Sequence, residues 1–340
     1  MGSQSREKKR DWSKLPKDIV GCIMGKLYWS HRIQMQGVCK AWRMVSLDGV
    51  PTIDKAWLMT SEWSWIDCNR VIGKCKLKDT SLGKEVYISR GVKEDGTLFI
   101  WANFQSSRYG WALFRHDPKP GFRNRCVLYM YSPFTDEMMK LPPLDLGFPV
   151  WDGNLTATFN LSSANSECLV FCFYRFKETV CISTCLPRDG SWKSCYFVER
   201  HPDDNWYGTS LSATYSDGCF YCLFSGGALG VFDVHSREWK LLVKCWPAPH
   251  QDSNFFGELV AFPRCPCLPH RPDRVMKFDP SGKCWVEYLD SQEMESASSD
   301  HHHHLCAYLY PSKLEFYKNP ILIEPPVTRV WRRRHLLNPN

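Results

Sequence analysis

Two periodicities divide the chain. From Leu15 to Leu47 apolar residues return every three or four positions, whereas from Trp57 to about residue 317 they come in short or alternating runs between turn signals. In the first region Pro16 suits a first helical turn, where its missing N–H has no partner to lose. Asp18 sets a carboxylate near the positive end of the helix dipole. The spacing predicts a helix from about Pro16 to Lys26, with Ile19, Val20, Ile23, Met24 and Leu27 along one broad apolar face. Ser30 is placed to cap a second short helix over HRIQMQG, and after the weak point at Gly37 the string VCKAWRMV predicts a third. These apolar residues exceed what so small a bundle can bury by itself. They imply a covering surface, supplied either by the rest of the chain or by a partner.

In the second region EVYISRG, VKEDG and TLFIWANF read as strand, turn and strand, and ATYSDGCFYCLF reads as another pair broken at Asp217-Gly218. A longer repeat overlies these runs. Four segments carry a first marker residue, six intervening residues with a polar turn, and then a bulky residue that opens a new strand. They are Tyr131 with Met138, Cys185 with Trp192, Phe232 with Trp239 and Phe278 with Trp285. The second markers are 54, 47 and 46 residues apart. That is close to the ~40–50 residues of one four-stranded propeller blade, in which a bulky side chain packs on the next blade. Dividing residues 57 to 320 by a blade of ~45 residues predicts about six blades.

Charge changes the picture only at the start. Residues 1 to 45 hold ten Lys or Arg against three acids, an excess equal to the +7 of the whole chain, so the remainder is formally neutral. The run REKKR at 6–10 is open to three readings: a solvated tail, an import signal or a nucleic-acid contact. Hydrophobic content of 44% and aromatic content of 14% exclude a largely disordered chain. The opening MGSQSREKKRDW has no apolar core of a secretory signal, so the 17 cysteines are expected to be reduced thiols. Cys168, Cys172, Cys219 and Cys222 lie in apolar runs and read as small core residues. No run approaches the ~18 apolar residues of a membrane span. The expected location is nucleus or cytoplasm.

The string LPKDIVGCIMGKL followed by VCKAWR resembles the F-box, over roughly residues 12 to 47. That motif joins substrate receptors to the Skp-type adaptor of SCF ubiquitin ligases and, through it, to a cullin. The resemblance implies that Leu15, Pro16, Ile19, Ile23, Leu27, Val38, Cys39 and Trp42 meet the adaptor or brace the residues that do. The middle, Tyr28-Trp29-Ser30-His31 with Gln34-Met35, departs from the usual pattern. An F-box followed by a degenerate kelch-like repeat region resembles the plant F-box proteins of the KIB type. The fold class so implied is a small all-α F-box module followed by an all-β domain, a β-propeller of about six blades. Its expected organisation is a disordered basic leader at 1–11, helices over 12–50, the propeller over 51–325 and a basic segment at 326–340. In that last region VTRVW reads either as a closing strand or as part of a tail.

Candidate chemistry adds little. His301 to His304 follow a polar Ser-rich stretch, and Cys265, Cys267 and His270 stand among prolines without a second ligand pair, so no metal or other cofactor is expected. None of the strings GxSxG, HExxH, GxxxxGK[ST] or GxGxxG occurs. The expected role is a non-catalytic receptor that holds a Skp-type adaptor and an unidentified protein substrate, with no membrane partner and nucleic acid disfavoured. The alternative is a propeller enzyme or carbohydrate-binding protein in which the helices are only a brace.

Overall fold

A computed structural model describes residues 14–26, 35, 39–45, 57–67, 70–79, 87–91, 102–116, 125–135, 137–147, 155–161, 168–199, 209–247, 256–261, 274–288, 305–310 and 321–323. The chain forms two compact units, one dominated by Met1–Asp54 and the other by Lys55–Glu324. In the first, α1 spans Lys17–Lys26 and α2 spans Lys40–Val45. The helix expected over HRIQMQG lies outside the described residues except at Met35, which is helical.

The second unit is made of antiparallel sheets, four of them four-stranded and one with a short fifth strand. Sheet A joins β1 (Trp57–Asp67), β2 (Arg70–Asp79) and β3 (Tyr87–Gly91) to the last strand, β21 (Ile321–Ile323), in the order β21-β1-β2-β3. Sheet B is β4 (Ala102–Arg108), β5 (Trp111–His116), β6 (Arg125–Ser132) and β7 (Glu137–Lys140), with the two-residue β8 (Leu144–Asp145) also on β6. Sheet C runs β9 (Leu155–Leu161), β10 (Cys168–Phe176), β11 (Thr179–Cys185), β12 (Lys193–Val198). Sheet D runs β13 (Ser210–Ser216), β14 (Cys219–Phe224), β15 (Leu229–Asp233), β16 (Trp239–Val243). Sheet E contains β17 (Phe256–Ala261), β18 (Arg274–Asp279), β19 (Cys284–Tyr288) and β20 (Leu305–Tyr310). Its order is β17-β20-β18-β19, so the strand beside β17 is supplied after the outer hairpin has been made.

The leading strands stand side by side: β21 contacts β4, β4 contacts β9, β9 contacts β13 and β13 contacts β17. Sheets repeated in this way, each first strand beside the next, are the arrangement of a propeller. Among the described residues there are five such sheets, where division by repeat length predicted about six. The difference arises because that division treats every residue as blade, whereas the order β17-β20-β18-β19 separates β19, which ends at Tyr288, from β20, which starts at Leu305, by a crossover instead of a hairpin. Of the strand pair expected over EVYISRG and TLFIWANF, β3 carries most of the first, residues 92–101 lie outside the described residues, and β4, which starts at Ala102, belongs to a different sheet from β3. The strand that pairs with β1 at the end of the chain is Ile321–Ile323, and VTRVW at 327–331 lies outside the described residues.

The core lies between sheets rather than in one central mass. One layer packs Trp111, Leu128 and Met130 of sheet B against Phe159, Val170 and Cys172 of sheet C. A second packs Phe171 and Phe173 of sheet C against Phe220, Phe224 and Phe232 of sheet D, with the Phe171 and Phe220 rings stacked at 4.2 Å. A third joins Leu223, Leu229 and Trp246 of sheet D to Met276, Phe278 and Trp285 of sheet E. Because β10 is covered on both faces, its sequence CLVFCFYRF is an almost unbroken apolar run instead of an alternating one. The β13–β14 hairpin turns at Asp217-Gly218 with φ of 49° and 83°, the two positive angles of a type I′ turn that suit the twist of paired strands.

Candidate functional site

The N-terminal helices present the residues that the sequence marks for a partner. Pro16 opens α1, and its carbonyl accepts the Val20 N–H at 3.1 Å. One revolution takes about 3.6 residues, so Val20 and Met24 fall on one stripe, and Pro16, Ile19 and Ile23 fall on the adjacent one. The structure separates the two stripes. Val20, Met24 and Trp42 are buried together, with Leu15, Met35, Cys39 and Val45 packed around them. Ile19 is 44% exposed, Pro16 is exposed, and Ile23 is half-buried.

The broad apolar face of α1 therefore has an inner half that makes the module's own core and an outer half that remains uncovered. Of the eight residues implied by the resemblance, Trp42 is internal, Leu15 and Cys39 lie at the edge of the core, and Pro16, Ile19 and Ile23 form the outer stripe. Leu27 and Val38 lie outside the described residues.

In the sheet domain the repeat markers occupy equivalent places. Tyr131 faces Met138, Phe232 faces Trp239 and Phe278 faces Trp285 as cross-strand partners. Cys185 ends β11, and Trp192 lies just before β12 at the mouth of the same hairpin. The tryptophans reach back to the preceding sheet. Trp192 Nε1 donates to the Pro142 carbonyl of sheet B at 2.8 Å, and Trp285 Nε1 donates to the Gly227 carbonyl of sheet D at 2.7 Å. Trp239 Nε1 is buried without a hydrogen-bond partner among the described residues. At that joint Arg237 makes the reach, with Nη2 2.9 Å from Cys195 Sγ and Nη1 3.4 Å from Thr184 Oγ1 of sheet C.

The turn at 225–227 collects several of these bonds. Trp246 donates its indole N–H to the Ser225 carbonyl at 3.0 Å and its backbone N–H to the Gly226 carbonyl at 3.1 Å. The Trp246 and Trp285 rings lie 5.3 Å apart. Gly227 has φ +83°, and a Cβ there would collide with Trp246. The marker hairpins carry one further signal that the repeat pattern does not use. An Asp follows the first marker in Phe232-Asp233 and Phe278-Asp279. Asp233 Oδ1 accepts the N–H groups of His235 and Ser236, which holds its carboxyl below the usual range, and Asp279 accepts those of Ser281 and Gly282.

The leading strands spend polar groups on bonds between sheets. Arg108 of β4 donates to Thr214 Oγ1 of β13 at 2.7 Å. Gln105 accepts the Ala157 N–H at 3.1 Å, and Arg115 donates to the Leu155 carbonyl at 3.0 Å. Cys168, Cys172 and Cys222 are buried, and Cys219 is half-buried. Burial, with Asp189 adding to it, pushes the Cys185 thiol up to about 11. Cys168, Cys172, Cys185 and Cys222 are core residues, whereas Cys219 is only partly covered. Among the described residues no group of three or more His, Cys, Asp or Glu is placed to hold a metal ion. His301 to His304, Cys265, Cys267 and His270 lie outside the described residues. No described helix is long and apolar enough to cross a membrane.

Sheets repeated along a line of neighbouring first strands, with aromatic side chains bridging sheets B to E in turn, define the class as a β-propeller. Residues 86–293 match the family described as the KIB1-4 beta-propeller, and the chain belongs to that family. Three relatives from Arabidopsis thaliana are similar to it. An F-box protein is 27% identical over 67% of this chain and 44% of its own length. A second F-box protein is 23% identical over 83% of this chain and 71% of its own. An F-box/kelch-repeat protein is 26% identical over 68% of this chain and 58% of its own. The chain thus spans less than half the length of the first of these and somewhat more than half of the third.

Proposed function

We propose that this chain is a substrate-recognition subunit of an SCF-type ubiquitin ligase, with the N-terminal helices holding a Skp-type adaptor and the propeller holding a protein substrate. The observation that carries the proposal is the uncovered stripe of Pro16, Ile19 and Ile23 on a helix whose own core is already supplied by Val20, Met24 and Trp42. An apolar helix face of this kind is a recurrent docking element. The F-box names of the relatives support the same reading. The receptor acts by proximity: it raises the effective concentration of substrate near the ubiquitin-carrying subunits and needs no catalytic side chain of its own. The adaptor in turn brings a cullin, and the site of action is nucleus or cytoplasm.

Co-purification with a recombinant Skp-type adaptor tests this. A Pro16→Ala, Ile19→Ala double variant is expected to lose at least tenfold in affinity, about 1.4 kcal/mol or more, because a few central apolar anchors carry most interface energy. Equal retention by wild type and variant, or retention by neither, would refute the adaptor role.

A further inference from the structure

We infer that the outer strand of sheet C, β12, is a self-association edge through which two copies of this chain pair antiparallel about a two-fold axis at Tyr196. Among the described residues β12 pairs only with β11. Its free side can be read from the ladder. The Glu199 N–H donates to the Glu178 carbonyl at 2.9 Å, so position 199 turns its backbone toward β11. Backbone direction alternates along an antiparallel strand, which turns Phe197, Cys195 and Lys193 the same way. Ser194, Tyr196 and Val198 are left with their N–H and C=O groups toward the open edge.

The same three residues are exposed, Tyr196 by 56% and Val198 by 64%. Natural outer strands are usually blunted by charge or covered. The outer strands β7 and β16 expose no large apolar side chain, β19 exposes one, Val286, and β12 exposes two.

The strand is complementary to itself in one register. With Tyr196 opposite Tyr196 of a second copy, Ser194 lies opposite Val198, so each outward residue meets an outward residue and exchanges both backbone bonds. On the other face Cys195 lies opposite Phe197, and Lys193 lies opposite Glu199 at each end, giving two cross-strand pairs of opposite charge. A shift of two residues either way places Lys193 opposite Phe197 or His201 and leaves one outward residue unpaired. A two-fold pairing makes each contact twice, so it builds a closed dimer instead of a chain of molecules. The charge match and the register both select a second copy of this chain as the occupant.

Sedimentation of the full chain across a concentration series tests the inference. Wild type is expected to move from the 39.6 kDa of one chain toward twice that mass. Tyr196→Lys, which sets two like charges on the axis, is expected to stay at the single-chain mass with a melting temperature close to wild type. Lys193→Glu and Glu199→Lys should each stay single as well, because each sets like charges opposite one another. An equimolar mixture of the two should regain the doubled mass, since opposite charges again face at both ends. A single-chain mass for wild type throughout, as expected if the edge instead takes an extended segment of another protein, overturns the inference. So does a Tyr196→Lys variant that still pairs, or a mixture that stays single. These readouts need no adaptor and leave the adaptor proposal untouched.

Discussion

The sheet domain covers itself, and the helical module does not. Each described sheet from B to D presents large apolar side chains that the next sheet buries, and at two of the joints a tryptophan N–H ends on a carbonyl of the preceding sheet. The module has three buried core residues and leaves Ile19 exposed beside Pro16, while the indole N–H of Trp42 is buried with no partner among the described residues. Repetition explains the contrast. A repeated unit finds its cover in the next copy of itself, whereas a single small module must take cover from something else.

The comparison is broken most severely at the 225–227 turn. Gly227→Ala is expected to cost about 3 kcal/mol, combining a left-handed backbone with overpacking against Trp246, and the midpoint of chemical denaturation measures it. The same change displaces the carbonyl that Trp285 uses. A smaller effect separates the joints themselves. Trp285→Phe is expected to cost about 1 kcal/mol more than Trp239→Phe, because the first leaves the Gly227 carbonyl without its donor and the second removes an N–H that has no acceptor. Equal losses in denaturant titrations would show that the joints rest on ring packing alone.

Alkaline pH sharpens the contrast more gently. Burial holds the Cys185 thiol protonated up to about 11, and the thiols of Cys168, Cys172 and Cys222 are raised by the same cause. An unfolded chain ionises these groups near 8.5, so above that pH the unfolded state binds fewer protons than the folded one. Stability is then complete below the unfolded value and falls as pH rises toward 11. Melting curves from pH 7 to 10.5 are expected to show that decline, and Cys185→Ala is expected to make it shallower. The smallest effect on stability is predicted where the module is uncovered. Ile19→Ser should change the melting free energy by less than about 0.5 kcal/mol, since the side chain is half in water, while Val20→Ser should cost several times more. If Ile19→Ser destabilises as much as Val20→Ser, the stripe is internal and not a docking surface.

Much of this organisation was legible along the chain. The switch from a helical to a strand period, the Tyr131, Phe232 and Phe278 pairs with their partners, and the core cysteines of β10 all follow from local pattern, because hairpin pairs and burial on two faces leave their mark on neighbouring residues. The sheet count was not legible, because the crossover to β20 adds length without adding a blade.

The site divides in the same way. The periodicity shows that α1 carries more apolar residues than a small module needs and sets Ile19, Val20, Ile23 and Met24 on one face, of which the family resemblance singles out Ile19 and Ile23. Only the packing of α1 on α2 decides that Val20 and Met24 turn inward and Ile19 outward, because adjacent helical stripes differ by less than a third of a turn. The sequence by itself determined the two periods, the repeat markers and the surplus of apolar residues, all of which are local properties. Which carbonyl each tryptophan finds, which strand closes sheet A and which edge of β12 stays open were decided by tertiary structure, since each depends on residues far apart in the chain.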